Sequence, residues 1–348
     1  MARPLATAAV VVGVSALMTG LARPQAPSND TLTAVPGIAV GHFTLSARPT
    51  GCTVVLAEPS AVAAVDVRGA APGTRETDLL NPVNTVERVN AIVLAGGSAF
   101  GLDAASGVVN WLEEHNRGFD VGVARVPIVP AAILFDLGVG DAHIRPDRDC
   151  GYRAAAAASS DPVARGSVGA GAGATVGKVR GMAHAMKAGI GSAAVRLPDG
   201  LIVAALVAVN ALGDVVDPAT GKVIAGVRAD DGSLADARAL LRSGTLGASA
   251  PGGHTTLAIV STNAVLTKTE ATKVAQMAHD GFARAIAPVH TPADGDTAFV
   301  VATGGLGHRV DLLVVGALAA EVTAMAIVDA ARAATSLPGL PAARDLPR

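Results

Sequence analysis

The sequence predicts an α/β fold in which sheets are covered by helices, and three observations predict it. Short apolar runs of strand character alternate along the chain with longer segments whose apolar residues return at helical spacing. Aromatic residues make up only 2% of the 348 residues while Gly alone numbers 40, so the core must be built from small side chains at close backbone distances. Half of the chain is hydrophobic, enough at this length to bury a sizeable core. Interleaved elements around such a core stack as layers.

Taken in order, the chain begins MARPLATAAVVVGVSALMTGLARPQA, with Arg3 ahead of an apolar run from Leu5 to Leu21. That pattern fits a secretory signal peptide over residues 1–26, cut near Ala22 or Ala26, which would place the protein in the periplasm or medium. The alternative is an uncleaved membrane anchor, since the run is near the shortest length that spans a bilayer. Pro27 to Thr33 reads as a polar linker, and residues 27–348 as one domain. Strands are expected at Cys52 to Leu56, Asn90 to Ala95, Leu201 to Val209, Thr256 to Ser261 and Thr297 to Ala302. Helical spacing covers Phe100 to Glu114 and Ala271 to Ile286, where Val274, Met277, Ala278, Phe282 and Ile286 share one face. Val310 to Ala333 is apolar but interrupted by Asp311, Glu321 and Asp329, as in a buried helix rather than a membrane span. Cys52 and Cys150 are the only cysteines, and either one disulfide or two buried thiols fits.

Several function classes fall away. A net charge of −2 leaves no footprint for nucleic acid. GSVGAGAGATVGKVR (166–180) resembles a phosphate loop, but Ala172 and Val179 occupy the positions that need Gly and Ser or Thr. AGGSAFGLDAASG (95–107) is no nucleophile elbow, because Phe100 stands in place of the second glycine; its glycines would let a helix approach the sheet. No two of the eight histidines have the i, i+4 spacing of a helical zinc site, and DGD at 294–296 is followed by no further ligands at calcium-loop spacing. Neither a metal nor a cofactor is expected.

One stretch remains, PGGHTTLAIVST at 251–262, in which turn-forming residues lead through His254 to Thr255, Thr256 and a buried strand. Thr is at home in strands, which is its plain structural explanation. A threonine can also act without a histidine triad if its own α-amine becomes the base, which requires the preceding peptide bond to be cut.

Together with this stretch, LTAVPGIAVGHFT, GCTVVLAEPSAVAAVDVRGAAPGTRETDLL, IVLAGGSAFGLDAASGV, VPAAILFDLGVGD, GSVGAGAGATVGK, ALVAVNALGDVVDPATG, HTTLAIVSTNAVLTK and PVHTPADGDTAFVVATG resemble, in order, the DmpA-type self-processing peptidases. That group includes L-aminopeptidase/D-esterase, β-peptidyl aminopeptidases and nylon-oligomer hydrolases. The resemblance implies a four-layer αββα sandwich, similar to N-terminal nucleophile hydrolases but differently connected. It implies cleavage of small peptide or amide substrates, and self-cleavage into subunits 27–254 and 255–348 that stay together in a homo-oligomer. Thr255 matches the nucleophile, with the cut after His254, Lys178 the active-site lysine and Asn210 the oxyanion donor. Asp294 and Asp296 match an acidic pair expected to bond the lysine or the freed amine. Three positions depart from the family. His254 stands where Asn or Gly is common, and Ile133 and Phe135, assigned to the substrate pocket, replace the Glu and Tyr of the β-peptidyl branch. Without that Glu, no carboxylate at this position anchors a substrate's free amine. An acyltransferase on the same scaffold and an inactive secreted binding protein are the alternatives.

Overall fold

The computed structural model describes residues 1–2, 29–245 and 253–346; the rest of the leader and the turn residues 251 and 252 lie outside the described residues. The first part of the chain forms β1 (Ile38–Thr44), β2 (Gly51–Val67), β3 (Thr74–Arg75), β4 (Arg88–Ala95), α1 (Ala104–Glu114), β5 (Phe119–Asp120), β6 (Arg125–Val126), β7 (Ala131–Ile133) and α2 (Arg148–Ala156). Next come β8 (Thr175–Val176), β9 (Met186–Lys187), β10 (Ile190–Arg196), β11 (Ile202–Asn210), β12 (Asp214–Val216) and β13 (Val223–Ala225). The last part holds α3 (Ala237–Ser243), β14 (Thr255–Thr262), α4 (Lys268–Ala285), β15 (Ile286–Ala287), β16 (Thr297–Ala302) and α5 (Leu312–Ala333). Each of the five expected strands falls on one of these.

The main strands run in the order β10-β11-β14-β16-β2-β4-β7-β3, with β1 also paired to β2. Strand β2 is far longer than the expected Cys52 to Leu56, because it serves two neighbourhoods. Its first half pairs with β1 and β4, and its second half pairs with β16. Between Leu56 and Ala61 the register with β4 shifts, around Pro59, which has no N–H to give a ladder.

The bend folds the sheet over itself, and the period-two alternation of its strands separates three cores. Cys52, Val54 and Leu56 face α1 and α2 together with Ala91, Val93 and Ala95. Val55, Ile92 and Leu94 face inward, where they meet Leu206, Leu257, Ile259 and Phe299 from the other half of the sheet. Val207, Val260 and Val300 point the opposite way, onto Val274 and Phe282 of α4 and Val322 and Ile327 of α5. Helix, sheet, sheet, helix is the expected four-layer sandwich. Because strands of both sheet halves are buried on both faces, they read as continuous apolar runs rather than alternating ones.

Small residues set the spacing. A Cβ on Gly107 of α1 would lie 1.8 Å from Arg148 O, and one on Gly151 of α2 would lie 1.8 Å from Ala104 O, so only glycine permits this crossing. The helix expected from Phe100 begins instead as a 3-10 turn, Ser98–Asp103, since the chain leaves β4 through Gly97 in left-handed backbone, φ 84°. Helix α4 starts on a capping box, Thr267 with Glu270. The apolar stretch from Val310 packs as α5 against α4 and both β10 and β11.

Cys52 and Cys150 form a disulfide across 98 residues, tying β2 to α2. Closing a loop that long constrains the unfolded chain, so the Cys52→Ala/Cys150→Ala pair should lose about 2–4 kcal/mol in denaturant unfolding. An unchanged midpoint would show that the bridge contributes nothing.

Candidate active site

Strands β11 and β14 end together, with Asn210 directly opposite Thr255. On the other side β14 runs parallel to β16, and the loop entering β16 bridges back to it through His254 and Asp294. Thr255 is therefore held between two strands and a loop, buried together with Thr256. Its Oγ1 donates to the carbonyl oxygen of His254, the peptide group immediately before it. Gly295 N–H donates to that same oxygen at 2.9 Å. A side chain on Gly295 would place its Cβ 2.9 Å from Thr255 Oγ1 and 2.7 Å from Ala71 O, so the close approach of this N–H depends on glycine.

A lysine ending a glycine loop is usually solvated, but Lys178 is only 3% exposed. Its Nζ donates to Asn210 O and Asn210 Oδ1, each at 2.9 Å. The Oδ1 also accepts from Thr175 N at 3.0 Å, and the Asn210 amide donates one N–H to Phe135 O at 2.9 Å. Asn210 thus joins the lysine, the nucleophile's strand and the pocket wall. Burial pulls the Lys178 ammonium down to about 7, against the opposing pull of Asp294, Asp136 and Asp296. Lys187, wholly buried on Gly171 O and Ala188 O, is likewise pulled down by burial to about 7. Both folded values lie below the unfolded 10.5, so between about 7 and 10.5 the unfolded chain binds more protons and stability rises with pH. The urea midpoint should be higher at pH 9 than at pH 7, and a flat profile would contradict the burial of both cations.

The acidic pair does not bond the lysine. Asp294 accepts from Thr291 N at 3.0 Å, Thr291 Oγ1 at 2.5 Å and Leu212 N at 3.4 Å. Asp296 Oδ1 accepts from Thr256 N at 2.7 Å, while its Oδ2 accepts from His290 N at 3.1 Å and His290 Nδ1 at 2.9 Å. The loop's own donors need acceptors, and the lysine's protons are taken by Asn210. Burial, and then the negative charge of Asp296, push the Asp294 carboxyl up. His254 is nearly buried, and burial followed by the Lys178 cation holds its imidazole down to about 3, so it is neutral at physiological pH.

Beside the nucleophile lies a cavity of about 190 Å³, lined by Phe135, Val139, Thr175, Lys178, Met182 and His254 among others. Phe135 takes the expected place, whereas Ile133 does not line it. Ile133 belongs to the core beneath α1 and α2, where its Cδ1 lies close against Gly73. The cavity wall is instead fixed by Asp136, whose carboxylate pairs with buried Arg48 at 2.8 Å and accepts from Thr50 Oγ1 at 2.5 Å and Gly97 N at 2.8 Å. Sequence reasoning passed over Arg48, Asp136, His290 and Gly295. Asp136 lies inside the quoted VPAAILFDLGVGD, and His290 and Gly295 inside PVHTPADGD, but Arg48 has no local signal because its partner is 88 residues away.

Known proteins resemble this chain in sequence and in fold. An uncharacterized aminopeptidase of Mycobacterium tuberculosis is 44% identical over 345 residues, covering 91% of this chain and 98% of the relative. A 6-aminohexanoate-oligomer endohydrolase of Kocuria sp. is 32% identical over 312 residues, covering 85% and 84%. Among solved structures, the Burkholderia sp. beta-aminopeptidase has a TM-score of 0.66 at 23% identity, covering 88% of this chain and 87% of that one. The L-aminopeptidase D-Ala-esterase/amidase of Ochrobactrum anthropi, a variant of the Ntn hydrolase fold, has a TM-score of 0.67 at 18% identity, covering 88% and 86%. The family model for peptidase family S58 matches residues 30–344, and the chain, a hydrolase of peptide bonds, belongs to that family.

Proposed function

We propose that Thr255 is a self-processing nucleophile that cleaves the chain after His254 and then hydrolyses amide or ester bonds of small peptide-like substrates. The observation that carries this reading is the Thr255 hydroxyl resting on the carbonyl of its own preceding peptide, with Gly295 N–H on the same oxygen. In the first step Oγ attacks the His254 carbonyl carbon, and the Gly295 donor stabilises the oxyanion. The C–N bond breaks, the nitrogen takes a proton, and water hydrolyses the resulting ester to a His254 carboxylate and a free Thr255 amine. That amine then takes the hydroxyl proton when Oγ attacks a substrate, and returns it to the leaving amine. Lys178 holds the Asn210 side chain through its Nζ–H to Oδ1, and the remaining N–H of the Asn210 amide is the donor for the substrate oxyanion. Intact-mass measurement should find two chains, one running from Thr255 to Arg348; a fully active, uncut wild-type chain would overturn the reading.

The cavity supports small acyl groups and no dedicated amine anchor. The one carboxylate among its described lining residues, Asp136, is committed to Arg48, Thr50 and Gly97. Free and N-acylated forms of one amide are therefore expected to differ less than about tenfold in kcat/KM, since neither gains a buried charge pair. An absolute requirement for the free amine would contradict this. The endohydrolase named above, by its name, cleaves within oligomers. The Cys52–Cys150 disulfide supports export, because such bridges persist in oxidising compartments. The exposed Leu313, Val314 and Met325 of α5 support a homo-oligomer of cleaved heterodimers.

A further inference from the structure

The loop that carries the acidic pair contains a side chain to which the chemistry above gives no task. His290 is held in left-handed backbone, φ 54°. That conformation is uncommon outside glycine, and a chain keeps it only where the surroundings fix it. Here two donors of one residue converge on one atom. The backbone N–H and ring Nδ1 of His290 both reach Asp296 Oδ2, at 3.1 and 2.9 Å, so the ring's proton faces the carboxylate from Nδ1. The other oxygen of the same carboxylate takes the N–H of Thr256, the residue after the nucleophile, at 2.7 Å.

From behind, the His290 ring meets His279 of α4 edge-on at 4.8 Å and Phe282 at 5.6 Å. His279 Nε2 in turn lies 3.0 Å from Asp66 O on β2. The ring is thereby wedged between the active-site loop and the helix layer.

We propose that His290 is a positioning residue: it fixes the rotation of the Asp296 carboxylate, and through it the backbone at Thr256, so that Thr255 Oγ stays aimed at the reacting carbon. This rests on reading Thr255 as the nucleophile. Two donors on Oδ2 leave the carboxylate only one orientation in which Oδ1 meets Thr256. Losing the ring leaves Asp296 Oδ2 with one donor in place of two, so the carboxylate is free to turn and Oδ1 loses its fixed place on Thr256 N.

The test uses two substitutions in the full chain that both tolerate left-handed backbone. His290→Gly keeps the conformation and removes the ring donor, while His290→Asn restores an amide N–H at the δ position. With a small amino-acid p-nitroanilide as probe, H290G should lower kcat on the order of ten- to a hundredfold with KM little changed. H290N should recover most of the rate. Wild-type kcat in H290G would overturn the proposal. So would an H290N as impaired as H290G, which would assign the effect to packing against His279 and Phe282, or failure of both variants to fold. Thr255→Ala measured alongside separates the two readings: if it keeps activity, the nucleophile assignment fails, and if it is inactive while H290G is unaffected, only this inference fails.

Discussion

Replacing Thr255 with Ala is expected to leave a single uncut chain whose amide hydrolysis falls on the order of 10⁴-fold or more, as when a catalytic hydroxyl is removed elsewhere. In the proposed mechanism one oxygen serves both the self-cleavage and the turnover, so no partial phenotype is expected to separate them. The fold should survive, because the backbone pairing of Thr255 with Asn210 does not involve the side chain. What is lost is a small buried methyl and hydroxyl, about 1 kcal/mol of stability. Thr255→Ser should retain both activities. Gel analysis beside rate measurement checks this, and an uncut Ala variant hydrolysing at the wild-type rate would end the nucleophile reading.

Arg48→Met is expected to be the most damaging substitution away from the nucleophile. Arg48 and Asp136 have fully buried side chains. The guanidinium also donates to Val139 O and Ile144 O, each at 2.7 Å, and to Asp136 O. Methionine fills much of the space but strands a carboxylate and several carbonyls without their donor. Removing one partner of a buried pair costs about 3–5 kcal/mol, enough to lower Tm by many degrees. The double substitution Arg48→Met/Asp136→Leu should recover part of the loss, since it removes the uncompensated charge. If Arg48→Met stays within about 1 kcal/mol of wild type, the pair does not hold the wall of the cavity.

The strands were legible because burial on both faces writes them as unbroken apolar runs, and α5 because charges at Asp311, Glu321 and Asp329 mark a helix that is packed rather than lipid-facing. The second half of β2 was not legible, since a bend at Pro59 looks locally like a strand's end. At the site, Thr255, Lys178 and Asn210 were found through motif and resemblance, and strand pairing puts two of them face to face. The supporting residues Arg48, Asp136, His290 and Gly295 were not. Ile133 was assigned to the pocket from its place in a motif, but side-chain direction along a short strand such as β7 depends on register, which sequence did not supply. The role of Arg48 depends on a contact 88 residues away, which no local pattern encodes. His290 differs again, because a left-handed histidine in a turn has no spacing signature.

Strands β14 and β16 lie between β11 and β2 in the sheet order. The two main-sheet strands that follow His254 are thus clasped on both margins by strands that precede it. A nick at His254 would open a covalent link without opening an edge, and the two pieces could part only by unzipping three ladders, β11 from β14, β2 from β16 and β12 from β15. The reverse journey is harder. A chain ending at residue 254, made alone, would present two facing unpaired strand margins and an uncovered apolar surface, an invitation to stick to copies of itself. Synthesis as one polypeptide, with any scission deferred until the sheet has closed, would supply the missing strands at high local concentration. The linkage that is later discarded would then be an instrument of assembly.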